Sequence, residues 1–332
     1  MSSATVKVSV IIPCHNHGEF IREAMQSVLA SVFKNYEMIV VNDGSTDTFT
    51  LEVFKDLDRE FPDHPKVRIV HQAHSGVAAA RNNGIGLSRG KYILPLDADD
   101  RIAPHYLNKA AEILENNPDV GVVYPHAQFF GEKEGAWEFP PFDPKRLLLY
   151  NSVVVSSVYR REIWEACNGY DPEMRLGYED WEFWISAMEK GWKFHLLSGP
   201  MFEYRMRSGS RNSACDIPEN RRALIRYLCN KHKKIYAENL EYVISEKDVE
   251  LSQAHIHIRT LEAAISDREA DLSNIYDSRG WKALLICCRI RDRIIPLNSK
   301  RRRLAKHIFN MMIRLGDILK TLTRRVFISR GK

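Results

Sequence analysis

The 332-residue chain lacks several features that would assign it to a class at once. Its six cysteines are scattered and form no C-x-x-C pair, which disfavours a disulfide framework or a zinc site and indicates reduced thiols in a cytosolic protein. No apolar stretch approaches the roughly 18 residues needed to span a bilayer. The run Val6–Ile12 is too short, and too interrupted by Lys7 and Ser9, for the core of a signal peptide. Because no G-x-G-x-x-G follows a strand pattern, a dinucleotide-binding dehydrogenase is also disfavoured.

Charge is distributed unevenly along the chain, whose formal net charge is +5. Residues 279–332 carry 16 Lys and Arg against two acids, Asp292 and Asp317. The rest of the chain carries 32 basic and 41 acidic residues and is therefore acidic. An acidic body with a basic tail indicates that the tail has a partner of its own.

Strand and helix patterns alternate in the first half of the chain. Short apolar runs predict strands at Val6–Ile12, Tyr36–Val41, Val67–Val70, Tyr92–Leu96, Val120–Tyr124 and Val153–Tyr159. Helical spacing of apolar residues predicts helices around residues 20–28, 51–57, 77–87 and 107–114. This alternation predicts an α/β fold with a mostly parallel sheet and helices on both faces.

Three carboxylates follow the predicted strand Tyr92–Leu96, in the order Asp97, Asp99 and Asp100. The crevice outside strand ends is where open α/β sheets bind ligands. A divalent cation that carries a diphosphate suits such a place, because hard cations prefer carboxylate oxygens. A solvated acidic turn explains the same residues, and this motif alone does not separate the two interpretations.

Two further strand ends should open on the same edge. The first strand leads into Pro13, Cys14 and His15, and the second leads into Asp43. The Asp43 carboxylate is able to accept the imide N–H of a uracil or thymine. It equally suits an Asx-turn or a helix N-cap.

A helix of small residues contains Arg81, which is able to bind a base carbonyl or a phosphate. The small residues around it are also explained by close packing of helix on sheet. Further along, Asp180 begins an aromatic helix. It is either an N-cap or a general base. Since aromatic faces suit sugar rings, Trp181, together with Glu179, is expected to contact a sugar acceptor.

Four motifs occur in order, and they are VSVIIPCHNHGEFIREAMQSV, IVVNDGSTD, GVAAARNNGIGLSRGKYILPLDADD and GYEDWEFW. Together they resemble the family-2 glycosyltransferases of the GT-A fold over about residues 5–210. The resemblance implies a Rossmann-like nucleotide-binding domain that transfers a sugar from a UDP- or dTDP-sugar to a hydroxyl group, with inversion. A decorative acidic turn would not accompany the other three motifs.

Residue by residue, the resemblance implies a donor site and a catalytic base. The donor's base and ribose are expected beside Pro13, His15, Asp43 and Arg81, with Asp97 approaching the ribose. Mg²⁺ or Mn²⁺ on the diphosphate is expected at Asp99. Asp180 is expected to deprotonate the acceptor hydroxyl.

One residue departs from the family pattern. Many relatives carry a His shortly after a Tyr-Arg pair, where this chain has Arg207. Arg cannot ligate a cation but binds a diphosphate well. Arg207 is therefore expected at the donor, and strict metal dependence is left open.

The segment after Lys233 contains neither Gly nor Pro until Gly280. Eleven positions alternate spacings of four and three, and they are Leu240, Ile244, Lys247, Leu251, Ala254, Ile258, Leu261, Ile265, Arg268, Leu272 and Ile275. Nine of the eleven are apolar, and together they form a seam along one helix face. This seam predicts a coiled coil and a homo-oligomer. One long helix packed against the globular body is the alternative.

The tail after Trp281 combines basic residues with an apolar face that runs from Leu304 to Leu322. This pattern predicts a helix on an anionic membrane surface, at the cytoplasmic face of the cell membrane. A nucleic-acid patch is disfavoured because no base-stacking aromatic series accompanies it. Three domains are thus predicted, at 1–232, 233–278 and 279–332.

The extension after the catalytic region resembles those of bacterial enzymes that build surface polysaccharides, so a glycan or isoprenoid-linked acceptor is expected. Two other functions fit less well. A sugar-1-phosphate nucleotidyltransferase would start with a Gly-rich loop rather than Pro13-Cys14-His15-Asn16. A scaffold with an inactive transferase domain would have no need of Asp97, Asp99 and Asp180 together.

Overall fold

The computed structural model describes residues 6–207 and 212–294. The strands found there are β1 (Val8–Cys14), β2 (Tyr36–Asp43), β3 (Val67–Gln72), β4 (Tyr92–Pro95), β5 (Arg101–Ile102), β6 (Val120–Gly131), β7 (Gly135–Trp137), β8 (Val158–Arg160) and β9 (Lys193–Met206). The helices are α1 (Gly18–Leu29), α2 (Thr48–Glu60), α3 (Val77–Leu87), α4 (Tyr106–Asn116), α5 (Pro144–Leu147), α6 (Arg161–Ala166), α7 (Glu179–Glu189), α8 (Asn212–Cys215), α9 (Pro218–Lys231), α10 (Lys233–Glu238), α11 (Leu240–Asp277) and α12 (Arg279–Ile294).

In the described residues these strands form one sheet in the order β3-β2-β1-β4-β8-β6-β9-β5, with β7 paired to β6. The pairs β1–β2, β2–β3, β1–β4 and β6–β9 are parallel, whereas β8 runs antiparallel to both of its neighbours. The predicted α/β fold is confirmed, and the sheet is mixed, with four parallel and four antiparallel strand pairs among the described residues. Every residue of β1 and β2 is buried, which explains the apolar runs at residues 10–12 and 38–41 within them.

The strand predicted at Val153–Tyr159 is wrong over most of its length, because β8 begins only at Val158. The hydroxyl of Ser157 donates to the main-chain oxygen of Val154 at 2.5 Å, and its N–H donates to that of Val155 at 2.8 Å. This local turn removes the segment from the ladder of the sheet.

Helix α3 packs very closely on the sheet. A Cβ at Gly84 would lie 2.6 Å from Cγ2 of Ile11 and 3.1 Å from Cγ2 of Val41. The small residues of α3 therefore serve packing, as one interpretation of the sequence proposed. The close approach also sets where Arg81, one turn earlier on the same helix, enters the protein.

Helices α9 and α10 are joined to α7 by a buried ionic network. His232 is 3% exposed, and its ring nitrogens lie 2.6 Å from Glu189 and 3.2 Å from Glu182. Lys231 lies 2.9 Å from the same Glu182 carboxylate. Burial opposes protonation of His232, but the hydrogen bonds to the two glutamates outweigh it and raise the pKa of the ring.

The chain divides into two compact units, Met1–Asp248 and Val249–Lys332, and the three-domain division stays a prediction. Helix α11 is continuous over the predicted seam, and within the described residues none of its side chains is buried. None of the helices that the structure describes is both long and apolar enough to cross a membrane. The predicted face from Leu304 to Leu322 lies outside the described residues.

Candidate functional site

Parallel pairing brings the carboxyl ends of three strands to one edge of the sheet. Cys14 lies beside Asn42 in the β1–β2 register, and β1 also pairs with β4. The loops that follow these strands are 15–17, 44–47 and 96–100. This is the edge at which open α/β sheets bind ligands.

Two acids of the loop after β4 are paired with arginines. Oδ1 of Asp97 accepts a hydrogen bond from Nη2 of Arg81 at 2.6 Å. Oδ2 of Asp99 accepts one from Nε of Arg207 at 3.0 Å. The loop is therefore not a solvated acidic turn.

The third acid, Asp100, fixes the loop to β9. Its side chain is 2% exposed, and its Oδ1 accepts from the main-chain N–H of Arg205 at 2.8 Å. Burial, reinforced by the charges of Asp99 and Asp97, raises the pKa of Asp100 well above its ordinary value. Asp100 therefore serves the shape of the loop.

Arg81 is the buried link between the acidic loop and α7. It is 1% exposed, and its second terminal nitrogen donates to Oε1 of Glu179 at 2.7 Å. Burial alone would lower the pKa of Arg81, but the charges of Asp97 and Glu179 more than offset it, so the pKa is raised. Direct contact of Arg81 with a donor stays a prediction, and these contacts support instead an indirect role through its two acids.

Asp180 stands beside Glu179 in the first turn of α7 and is partly exposed. Its Oδ2 accepts from Nδ2 of Asn151, and its Oδ1 accepts from the N–H of Trp181, both at 2.8 Å. Burial and the adjacent charge of Glu179 raise the pKa of Asp180 to about 6, against the opposing effect of Arg81. A carboxylate with this pKa is able to take a proton near neutral pH. The helix begins one residue earlier, so Asp180 is not its N-cap.

Two residues predicted to contact the acceptor lie inside the protein. Trp181 is 3% exposed, and its indole N–H donates to the main-chain oxygen of Leu147 at 2.6 Å. Glu179 is 5% exposed and is held by Arg81. Their acceptor contact stays a prediction that their burial does not support.

Asp43 organises the loop before α3. It is 2% exposed, and its carboxylate accepts from the N–H groups of Ser75 and Gly76 at 2.8 and 2.9 Å and from Nε2 of Gln72 at 2.7 Å. Nδ1 of His74 lies 3.0 Å away as well. These four contacts occupy the roughly four lone-pair sites of a carboxylate. Recognition of a base imide by Asp43 stays a prediction and requires one of these partners to move. The N-cap of α2 is Asp47.

Two histidine rings lie close together at this end of the site, with their planes tilted by 30°. The rings of His15 and His74 are 4.0 Å apart between centroids, and their Nδ1 atoms lie 2.8 and 3.1 Å from the main-chain oxygen of Asp43. Among the described residues, His15, His74 and Asp43 offer ligand atoms that lie within 4.8 Å of one another. Imidazole suits transition metals better than Mg²⁺. Pro13, the remaining predicted donor contact, is buried within β1.

The residues present fit a hard divalent cation at the acidic loop. Asp97 and Asp99 each engage an arginine through one carboxylate oxygen. A carboxylate has further acceptor capacity beyond one such bond, and oxygen ligands suit Mg²⁺ and Mn²⁺.

Four polar residues of the site are absent from the sequence prediction. His17 contacts Arg207, Asn151 contacts Asp180, and the remaining pair is Gln72 and His74 beside Asp43. His17 lies two residues after His15, in the same loop, and this closeness to a predicted site residue could have identified it from the sequence. Asn151 lies in an irregular segment far from any motif, and nothing in its local sequence indicates its role.

Known proteins resemble this chain in sequence and fold. The family model "Glycosyl transferase family 2" matches residues 9–165. YibD of Escherichia coli K12, an uncharacterised glycosyltransferase, is 37% identical over 148 residues, which cover 44% of this chain and 41% of YibD. This chain thus spans less than half of that relative's length.

Solved structures share the fold. TarS 1–349 of S. aureus in complex with UDP-GlcNAc gives a TM-score of 0.53 at 21% identity, over 62% of this chain and 60% of that one. The mannosyltransferase PcManGT of Pyrobaculum calidifontis, in complex with GDP-Man and Mn²⁺, gives 0.50 at 18% identity, over 64% and 60%. With the geometry above, these matches identify the curled α/β sheet as a GT-A fold. Sequence and fold thus agree, and residues 9–165, just under half of the chain, match the model of glycosyl transferase family 2.

Proposed function

We propose that this chain is an inverting glycosyltransferase that moves a sugar from a nucleotide-diphosphate sugar to a hydroxyl group. The observation that carries the proposal is the connection from Asp180, through its chain neighbour Glu179 and the hydrogen bonds of Arg81, to the acidic loop. Asp180, with its pKa near 6, adjoins Glu179, and Arg81 joins Glu179 to Asp97. One edge of the sheet thus combines a proton acceptor with carboxylates suited to a cation and a diphosphate.

The donor, a UDP- or dTDP-sugar, occupies the strand ends. Its base lies toward His15 and Asp43, its ribose toward Asp97, and its diphosphate between Asp99 and Arg207. The bound UDP-GlcNAc of TarS and GDP-Man of PcManGT support a nucleotide-sugar donor of this class. The Mn²⁺ in PcManGT supports a divalent cation at Asp99.

The reaction is a single displacement. The acceptor hydroxyl gives its proton to Asp180 while its oxygen forms a bond to the anomeric carbon of the donor sugar. The bond from that carbon to the diphosphate oxygen breaks, and the nucleoside diphosphate leaves with the electron pair. Attack and departure on opposite faces invert the anomeric configuration. A bound Mg²⁺ or Mn²⁺ would neutralise charge on the leaving diphosphate, and Arg207 adds a guanidinium suited to the same oxygens.

The C-terminal helices support two further parts of the proposal. The seam of α11 presents Ile244, Leu251, Ile258 and Ile265, each about half exposed, to a second copy of the chain. On α12, Leu284, Ile286 and Ile290 are 52–56% exposed and are accompanied by basic residues, which suits an anionic membrane surface. A glycan or isoprenoid-linked acceptor at the cytoplasmic leaflet would then be within reach, in cell-surface polysaccharide synthesis.

The test is a donor screen on the full chain. Candidate nucleotide sugars are incubated with isoprenoid-linked acceptors, and products are detected by mass spectrometry. A transferase converts one donor class and releases the matching nucleoside diphosphate, and an Asp180→Asn variant does so far more slowly. Absence of both transfer and donor hydrolysis with every donor, in the presence of Mg²⁺ and Mn²⁺, would favour a non-catalytic scaffold instead.

A further inference from the structure

Arg207 is held in place by three different groups. Its Nε donates to Oδ2 of Asp99 at 3.0 Å, and its Nη2 donates to Nε2 of His17 at 2.8 Å. Its guanidinium carbon also lies 5.5 Å from the centroid of the Phe20 ring. The Arg207 and Asp99 side chains are only 24% and 17% exposed, so the ion pair is partly shielded from water.

The neutral form of His17 accepts the hydrogen bond from Arg207. An arginine has only donors, so Nε2 of His17 must carry the lone pair and Nδ1 the proton. Burial and the charge of Arg207 lower the pKa of His17, although Asp99 opposes them. The imidazole therefore steers the guanidinium toward Asp99 without adding a second positive charge.

This arrangement places a positive side chain on the carboxylate to which we assign the cation. Like charges a few ångströms apart repel strongly in a partly buried site. A divalent cation on Asp99 is therefore disfavoured while Arg207 stays on Oδ2. Once freed, the guanidinium is a planar fork that suits diphosphate oxygens. A bound diphosphate offers the displaced arginine a new anionic acceptor.

We propose that Arg207 is a positioning residue that exchanges with the cation at Asp99. Without donor, Arg207 weakens binding of the cation to Asp99; with donor, it moves onto the diphosphate, and cation and donor bind together. The inference rests on the proposed function of this edge as the donor site. It predicts that cation and nucleotide bind cooperatively, and that this cooperativity depends on Arg207.

The test measures Mn²⁺ binding rather than turnover. Free Mn²⁺ is counted by electron paramagnetic resonance in the full chain and in Arg207→Gln, with and without UDP as the probe nucleotide. Without UDP, the variant should bind Mn²⁺ about ten-fold more tightly, because a charge-assisted hydrogen bond no longer competes for Asp99. With UDP, the variant should lose most of the cooperative gain that the native chain shows. These opposite changes would not result from general damage to the site.

Arg101→Gln is the matched control. Arg101 directly follows the acidic loop but pairs with Glu23 and Glu203 instead of Asp99. Loss of its charge tests the general electrostatic effect, which should leave Mn²⁺ affinity within about two-fold at physiological salt. An Asp99→Asn variant identifies the binding site counted, because it should lose this Mn²⁺ while His15, Asp43 and His74 are intact.

Three results would overturn the exchange. Mn²⁺ affinity in Arg207→Gln equal to or below that of the native chain would show that the arginine does not compete. An equal gain in Arg101→Gln would assign the effect to overall charge. Absence of Mn²⁺ binding in every variant, with and without UDP, would leave no cation to exchange, and the proposed transferase function would then be decided separately by donor turnover in chelator.

Discussion

Removal of the Asn151 amide should shift the pH dependence of turnover. Asn151 donates to Oδ2 of Asp180 at 2.8 Å, and this bond favours the charged carboxylate. Without it, the pKa of Asp180, already raised to about 6, should rise further. An Asn151→Ala variant therefore needs a higher pH before its base is deprotonated.

The size of the shift follows from the bond. A hydrogen bond to a charged group contributes about 1.5–3 kcal/mol, and a pKa difference of one corresponds to about 1.4 kcal/mol. Because Asp180 is partly exposed, water replaces part of the lost bond, and the low end applies. The acid limb of kcat/KM should move upward by about one pH unit. Activity at pH 6.5 should then fall about three-fold, while activity above pH 8.5 stays near that of the native chain.

The assay is donor turnover from pH 5 to 9 with the donor found in the screen. Asn117→Ala serves as control, since the Asn117 amide bonds only within its own helix end, to the main-chain oxygen of Ile113. Asp180→Asn should reduce kcat by about 10²–10⁴-fold above pH 7, where the native base is deprotonated, as expected for a lost general base. An unmoved acid limb in Asn151→Ala, or native kcat in Asp180→Asn, would refute Asp180 as the base.

Four other outcomes are expected. Asp99→Ala should abolish Mn²⁺-dependent donor binding in calorimetry, and unchanged affinity with and without chelator would contradict the cation site. Ile258→Asp, on the α11 seam, should lower the mass of the assembly measured by light scattering, whereas Ile256→Asp, exposed but off the seam, should not. An equal mass for the Ile258→Asp variant and the native chain would count against self-association through the seam. Vesicle sedimentation should show salt-sensitive binding to anionic but not neutral lipids, lost on deletion of 281–332, with each basic group near the surface contributing about 1 kcal/mol; equal binding to neutral vesicles would remove the electrostatic argument. The pKa of His232 is raised in the folded protein. The stabilisation that its charge contributes is therefore complete below about pH 6.5 and is lost as the pH rises through the folded-state pKa. His232→Gln should lower Tm more at pH 6 than at pH 9, and an equal decrease at both would contradict the ionic network.

The sequence predicts the parallel half of this fold well. The strand Tyr36–Asp43 is buried on both faces, and the apolar run at its residues 38–41 signals it directly. The remaining half of the sheet is harder to predict. The alternating and mixed residues of Lys193–Met206 give no clear run, and the strand is fixed by pairing with β6 rather than by local preference.

In the candidate site too, some features can be read from the local sequence and others depend on residues far away in the chain. Asp97 and Asp99 follow the end of β4, and Asp180 lies in the first turn of α7, so the sequence alone reveals all three as candidates. The partners that hydrogen-bond to them lie 16 to 108 residues away in the chain, as with Arg81 and Arg207. Such pairings depend on tertiary packing, which explains why Arg81 is predicted at the donor although the structure buries it.

The buried guanidinium of Arg81 also limits how this protein can be engineered. Because it joins the acidic loop to the helix that carries the proposed base, we expect any substitution there to alter donor binding and proton transfer together. A change of donor specificity should therefore start at side chains that border the strand ends but do not connect the acidic loop to α7. His74, whose side chain is 57% exposed, is one such position. Directed evolution libraries that vary residues 72–74 and keep residue 81 fixed should retain far more active members than libraries that vary residue 81.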